Sequence, residues 1–362
     1  MKRLAIIAAA LALALLLGLP VSAELADDLG VGDVAGALPD TAREILGDTG
    51  VMDTDAPGAL ERIFGAAMDA LGSAVREVLR PVTELMAVVL LCSCAQSLTA
   101  GHRGFDYINL AGCLGVAAIS LGEVNSLLAM GRSVMAELTD FANVLLPALC
   151  VSSAAAGAFT SAPAKYAVSA LFSDVLINAA NTLIFPLICA YLAAALADAA
   201  LGGGELSGAV KLLKWACGFV MTALVTVFTL YLSLSGVVAA STDELATKAA
   251  KTAISAALPV VGGIVADAAG SVVAGAGVIR GAVGVFGLVA VLAVCLTPFL
   301  KLGVRYVLLK ACSALASPVC TGSMAKLIDA VGTACGMILG LAGSQALMLY
   351  IAVISMVKAV TG

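Results

Sequence analysis

Ala282 to Leu300 reads AVGVFGLVAVLAVCLTPFL, 19 residues without a charge. About 20 apolar residues at roughly 1.5 Å rise match the ~30 Å hydrocarbon core of a bilayer, so this run is long enough to cross one. Working outward from it, further runs of this kind predict spans at 82–100, 108–130, 141–160, 167–199, 215–239, 255–279 and 334–356. Residues 81–362 carry only 25 charged side chains, 13 basic and 12 acidic, mostly clustered between those runs. Composition agrees: 62% of the chain is hydrophobic, 12% is charged, and the mean hydropathy is +1.10. A soluble domain would be about 25% charged. The expected fold class is all-α, a polytopic integral membrane protein of about 6–8 spanning or re-entrant helices whose solvent is the lipid bilayer.

The N-terminus reads as an export signal over residues 1–23. Lys2 and Arg3 supply the positive region, Leu4 to Gly18 the apolar core, and Val21-Ser22-Ala23 a small-residue cleavage pattern. An uncleaved first helix is the alternative. Both place the next segment, 24–80, on the extracytoplasmic side. That arm holds 12 acidic residues against four arginines, whereas 81–362 is nearly neutral. Thr41 and Glu44 have capping-box spacing for a short helix, and 48–58 reads as loop. Ile63, Phe64, Ala67, Met68, Leu71, Val75, Val78 and Leu79 then recur at helical spacing, predicting an amphipathic helix over 57–80. It lies on the membrane, on a partner, or on its own protein.

The polytopic domain is 81–362. Basic residues sit in nearly every loop, at Arg103, Arg132, Lys165, Lys211, Lys214, Lys248, Lys251 and from Lys301 onward, so one segment is expected to be re-entrant or interfacial, with 167–180 and 255–279 favoured. Pro147 and Pro259 lie 112 residues apart, as do Pro186 and Pro298. This hints at a weak duplication of 103–200 in 215–312. Matching Pro-interrupted segments in two halves are where transporter-like folds place their central pathway.

Ser241 and Glu244 form a second capping box, predicting a helix start that leads into Leu258-Pro259-Val260-Val261-Gly262-Gly263 and Ala266-Asp267-Ala268. Pro259, Gly262 and Gly263 break helix geometry inside an apolar run. Asp267 follows in a hydrophobic setting, either as an intramembrane functional carboxylate or as a helix cap at the interface. The run from Lys251 through Asp267, the Gly-rich 270–287 and Pro298, together with the signal, the acidic arm and the polytopic remainder, resembles the stage III sporulation protein AE family of endospore-forming bacteria. The resemblance implies a subunit of a channel-like complex between mother cell and forespore, in the mother-cell-derived membrane, needed for late forespore gene expression. It carries over no catalytic residues.

Other polar groups have two readings each. Asp174, Asn178 and Asn181 share one helical face and either line a passage or act as interhelical hydrogen-bond glue. Glu123, the one charge in 108–130, either faces inward or snorkels. Gly218, Thr222, Thr226, Thr229, Ser233 and Gly236 make a small-residue stripe read as helix packing, and Gly277-x-x-x-Gly281 fits a close-packing motif. The 10 cysteines all lie in or beside apolar runs and read as small buried hydrophobes. With one histidine, His102, and no G-x-x-x-x-G-K-[ST], neither a histidine-based metal centre nor P-loop hydrolysis is supported.

The chain is therefore expected to be no enzyme, to need no cofactor and to bind no nucleic acid. Expected partners are the bilayer and other subunits of the sporulation channel complex, with a homo-oligomer left open. The competing class is a stand-alone secondary transporter coupling through Asp267, Asp174 and Glu123.

Overall fold

The computed structural model describes residues 31–47, 50–51, 56–98, 104–201, 204–257, 262–320 and 322–358, with the side chains of 56, 104–106, 233–257 and 262–272 excepted. The expected signal peptide and Pro259 lie outside the described residues, as do the side chains of Asp267 and of the Ser241 and Glu244 box. All described elements are helices: α1 Val31–Gly36, α2 Asp40–Leu46, α3 Ala56–Leu98, α4 Gly104–Ala155, α5 Ser161–Ala179, α6 Phe185–Leu201, α7 Ser207–Ala257, α8 Gly262–Ala316 and α9 Gly322–Val357. Ala180–Ile184 joins α5 to α6 as a π-helical turn. Counting α5–α6 as one rod, 6 helices among the described residues are long and apolar enough to cross a membrane. The chain is an all-α polytopic membrane protein.

Eight predicted spans become six because neighbours fuse. The 108–130 and 141–160 runs are one 52-residue helix, α4, and 282–300 shares the 55-residue α8 with most of 255–279. The predicted arm helix likewise continues through Pro81 into the first span as α3. The 167–180 segment is not re-entrant: it runs straight into α6, and Pro186 explains the π-turn between them. Proline has no N–H to donate to the carbonyl of Thr182 and its ring crowds that carbonyl, so the helix widens by one residue to accommodate it. Neither capping box starts a helix. Pro39, not Thr41, precedes α2, without a side-chain cap, and α7 passes uninterrupted through residue 241.

The six rods alternate in direction. Ser93 Oγ donates to the Val319 carbonyl and Cys113 Sγ to the Ala199 carbonyl, gathering the ends of α3, α6 and α8 with the starts of α4 and α9. At the opposite end, Lys165 Nζ donates to the Ser355 carbonyl at 2.7 Å, joining the start of α5 to the end of α9. α9 is the hub, packing on α8, α4, α6, α7 and α5. Its residues are buried nearly all round, from Leu327 to Met356, as expected for a helix enclosed on every side. Phe141, Phe185, Phe228 and Phe286 from four different helices are fully buried about it.

Two short helices clamp the arm. Val31 and Val34 of α1 and Ala42 and Leu46 of α2 are buried, with α1 against α4 and α2 against α8 and α3. Arg62 Nη1 donates to the Leu46 carbonyl at 2.6 Å. On α3, Ala59, Ile63, Ala74 and Val78 face the protein, whereas Leu60, Phe64, Met68 and Leu79 form a second, exposed apolar stripe.

Candidate functional site

An ionic cluster joins three helices where the sequence shows isolated charges. Arg305 of α8 is 5% exposed, and its Nη2 donates to Glu77 Oε1 of α3 at 2.6 Å. Its Nη1 lies 3.4 Å from Ser126 Oγ and 3.9 Å from Glu123 Oε2, both on α4. Lys301 Nζ reaches the second Glu77 oxygen at 3.4 Å. Two cations meet two carboxylates, so the cluster is formally neutral and can persist at membrane depth. Glu123 thus faces inward, towards an arginine 182 residues away in the chain.

Asp174, Asn178 and Asn181 are exposed on the outer side of the α5–α6 rod. They neither line a passage within this chain nor bridge its helices. The bridge is made one residue earlier: Gln345 Nε2 of α9 donates to Ser173 Oγ of α5 at 2.9 Å and to Thr139 Oγ1 of α4 at 3.3 Å. Gln345 Oε1 stays buried without a hydrogen-bond partner. Of the other prolines, Pro147 and Pro298 lie inside α4 and α8, where each leaves the carbonyl four residues back, of Asn143 and Val294, without its helical N–H. Gly262 and Gly263 begin α8, and Asp267 lies in its second turn.

Close helix packing uses other glycines than those the sequence suggested. Gly332 and Gly336 of α9 take Leu309 and Tyr306 of α8: a Cβ at Gly332 would sit 3.3 Å from Leu309 Cβ, and one at Gly336 2.9 Å from Tyr306 Cε2. Gly343 faces Phe299 at 3.7 Å. Gly277 and Gly281, by contrast, have nothing within 4 Å, and neither has Gly218. Thr222 and Thr226 are exposed; α7 packs through Cys217, Phe228 and Leu232 instead.

One chemically featured hollow was not foreseen. A cavity of about 780 Å³ lies between the end of α6, the start of α7, the end of α8 and the start of α9. Lys211, Lys214, Lys310 and Lys326 line it, with Asp198 and Asp329 as the acids. Both acids are engaged. Asp198 Oδ1 accepts from the Leu206 amide at 2.9 Å, and Asp329 Oδ1 accepts from Lys310 Nζ at 2.7 Å, with Thr333 Oγ1 accepting from the same ammonium at 2.7 Å. Lys211, Lys214 and Lys326 have no counter-ion among the described residues. The only sequence signal for this hollow was the recurrence of lysine at two loop edges. Among the described residues, no group of three or more His, Cys, Asp or Glu side chains is placed to hold a metal.

Comparison with curated proteins gives no match, and comparison with solved structures gives none either. A family model, stage III sporulation protein AE, matches residues 47–360. That match takes in α3 through α9, the ionic cluster, the glycine seam and the lysine-lined cavity, and so the chain belongs to the stage III sporulation protein AE family.

Proposed function

We propose that this chain is a membrane subunit of a channel-like complex joining mother cell and forespore during endospore formation, required for late forespore gene expression. In this reading it sits in the mother-cell-derived membrane around the forespore, with its acidic arm on the extracytoplasmic side, where it meets other subunits. Its role is structural and not enzymatic. The observation that carries the reading is the family match over 47–360, which gives a role in sporulation, on a chain built of six membrane-length helices.

Two features favour assembly over solitary action. The axis of the bundle is occupied by α9, buried on nearly all sides, so a solute path of useful width would run between copies or between subunits. The α3 stripe of Leu60, Phe64 and Met68 is unpartnered within the chain and is suited to burial against lipid or another subunit. Affinity purification of the tagged chain from sporulating cells tests this. Recovery of the other membrane subunits of the complex is the expected result. Recovery of the chain alone, or only with copies of itself, with late forespore reporters unaffected by its deletion, would sink the proposal in favour of a free-standing permease.

A further inference from the structure

We infer that the lysine-lined cavity at the α6–α7 and α8–α9 ends binds the phosphoryl headgroup of an anionic phospholipid. Charge is the first argument. Four lysines and two aspartates line the hollow, a net charge of +2; Asp329 is paired with Lys310, and Asp198 accepts a backbone amide without forming an ion pair with any lysine among the described residues. Three ammonium groups are left facing about 780 Å³ of space without a counter-ion. Two helix starts add to this: Ser207 and Gly322, the first residues of α7 and α9, both line the cavity. The Ser207 amide itself donates to the Gly204 carbonyl at 3.2 Å, but the aligned peptide dipoles of both helices favour an anion there.

The surroundings identify the anion as a lipid's. Lys211, Trp215 and Phe219 stand at i, i+4 and i+8 on α7, one above another on the same face. The two rings are stacked at 5.1 Å between centroids, and Trp215, Phe219 and Leu212 are all more than half exposed. An exposed Trp one turn from lysines, on a helix that continues into an uncharged run, marks the height of the membrane–water interface. A headgroup held at the lysines would have its acyl chains lying along Leu212 and the aromatic pair. Basic pockets between transmembrane helices are the expected receptors for such headgroups, whereas a free phosphate would make no use of the aromatic face.

The test uses the full-length protein in detergent micelles. Native mass spectrometry and thermal melting are followed as phosphatidylglycerol, phosphatidylcholine or inorganic phosphate is added. Phosphatidylglycerol should be retained and should raise the melting temperature, and phosphatidylcholine should do neither. The Lys211→Gln/Lys214→Gln/Lys326→Gln variant should weaken phosphatidylglycerol binding roughly 100-fold, at about one kcal/mol per lysine. Should that variant misfold, Lys326→Gln alone, at an exposed position, should weaken it several-fold. Arg80→Gln, a cation outside the cavity, should leave it unchanged. Equal binding of both lipids, equal loss in Arg80→Gln, or inorganic phosphate binding with the same lysine dependence and displacing the lipid would each overturn the proposal.

Discussion

Arg305 shows how one buried cation differs from a partly exposed neighbour bound to the same acid. Both Arg305 and Lys301 reach Glu77, but Arg305 is 5% exposed and Lys301 32%. Arg305→Ala removes an enclosed guanidinium and leaves Glu123 without its cation, while Glu77, 44% exposed, keeps Lys301 and its access to water, so the change should cost about 1–3 kcal/mol. Lys301→Ala removes a partly solvated ammonium and should cost under about 1 kcal/mol. Thermal denaturation of the two variants in detergent gives the comparison, and equal losses would show that the cluster contributes no more than a surface pair. The signal for this site was half legible. A lone Glu123 in an apolar run advertises an internal partner, because an unpaired carboxylate is costly there. The partner's identity was not legible, since Arg305 and Glu77 come from helices far away in the chain and no local spacing encodes their meeting. The same holds for Gln345, whose neighbours Thr139 and Ser173 are polar residues of ordinary appearance.

At the scale of helices, the bilayer solvent was readable and the packing faces were not, for one physical reason. In water a helix hides its apolar face, so periodicity reports orientation; in lipid both faces are apolar, and contact is set by shape and close approach. Small-residue patterns therefore mislead when many glycines are present: Gly277-x-x-x-Gly281 points into open space, while Gly332-x-x-x-Gly336 lies against α8. Gly336→Leu should drive its side chain into Tyr306 and destabilise the α8–α9 seam by about 1–3 kcal/mol or more. Gly277→Ala should be neutral, or stabilising by up to about 1 kcal/mol through helix propensity. Melting temperatures of the two variants decide the matter, and a larger loss at Gly277 would reverse the assignment of the packed face. The fused helices have a related cause. Charges such as Glu137 and Asp140 end a hydropathy run without ending a helix, because neither residue type breaks backbone hydrogen bonding.

For the molecule as a whole, all 10 cysteines are free thiols, so the protein should migrate identically on reducing and non-reducing gels. Cys94 and Cys189 are exposed, whereas Cys113, Cys217, Cys295, Cys312 and Cys335 are buried. In native micelles a small apolar maleimide should modify the first pair quickly and spare the five until the chain is denatured. Rapid modification of Cys335 or Cys295 without denaturation would contradict the central position of α9. The lengths of the rods have a further consequence. α4, at 52 residues, extends about 78 Å if straight, yet crossing the hydrocarbon takes only about 20 residues upright and about 26 at a 40° tilt. Roughly half of it must therefore stand in headgroups or water, and the same holds for α7 and α8 at 51 and 55 residues. Beams of that stiffness act as levers: pivoting one by about 5° sweeps its far tip through some 7 Å, most of the ~8–10 Å between neighbouring helix axes.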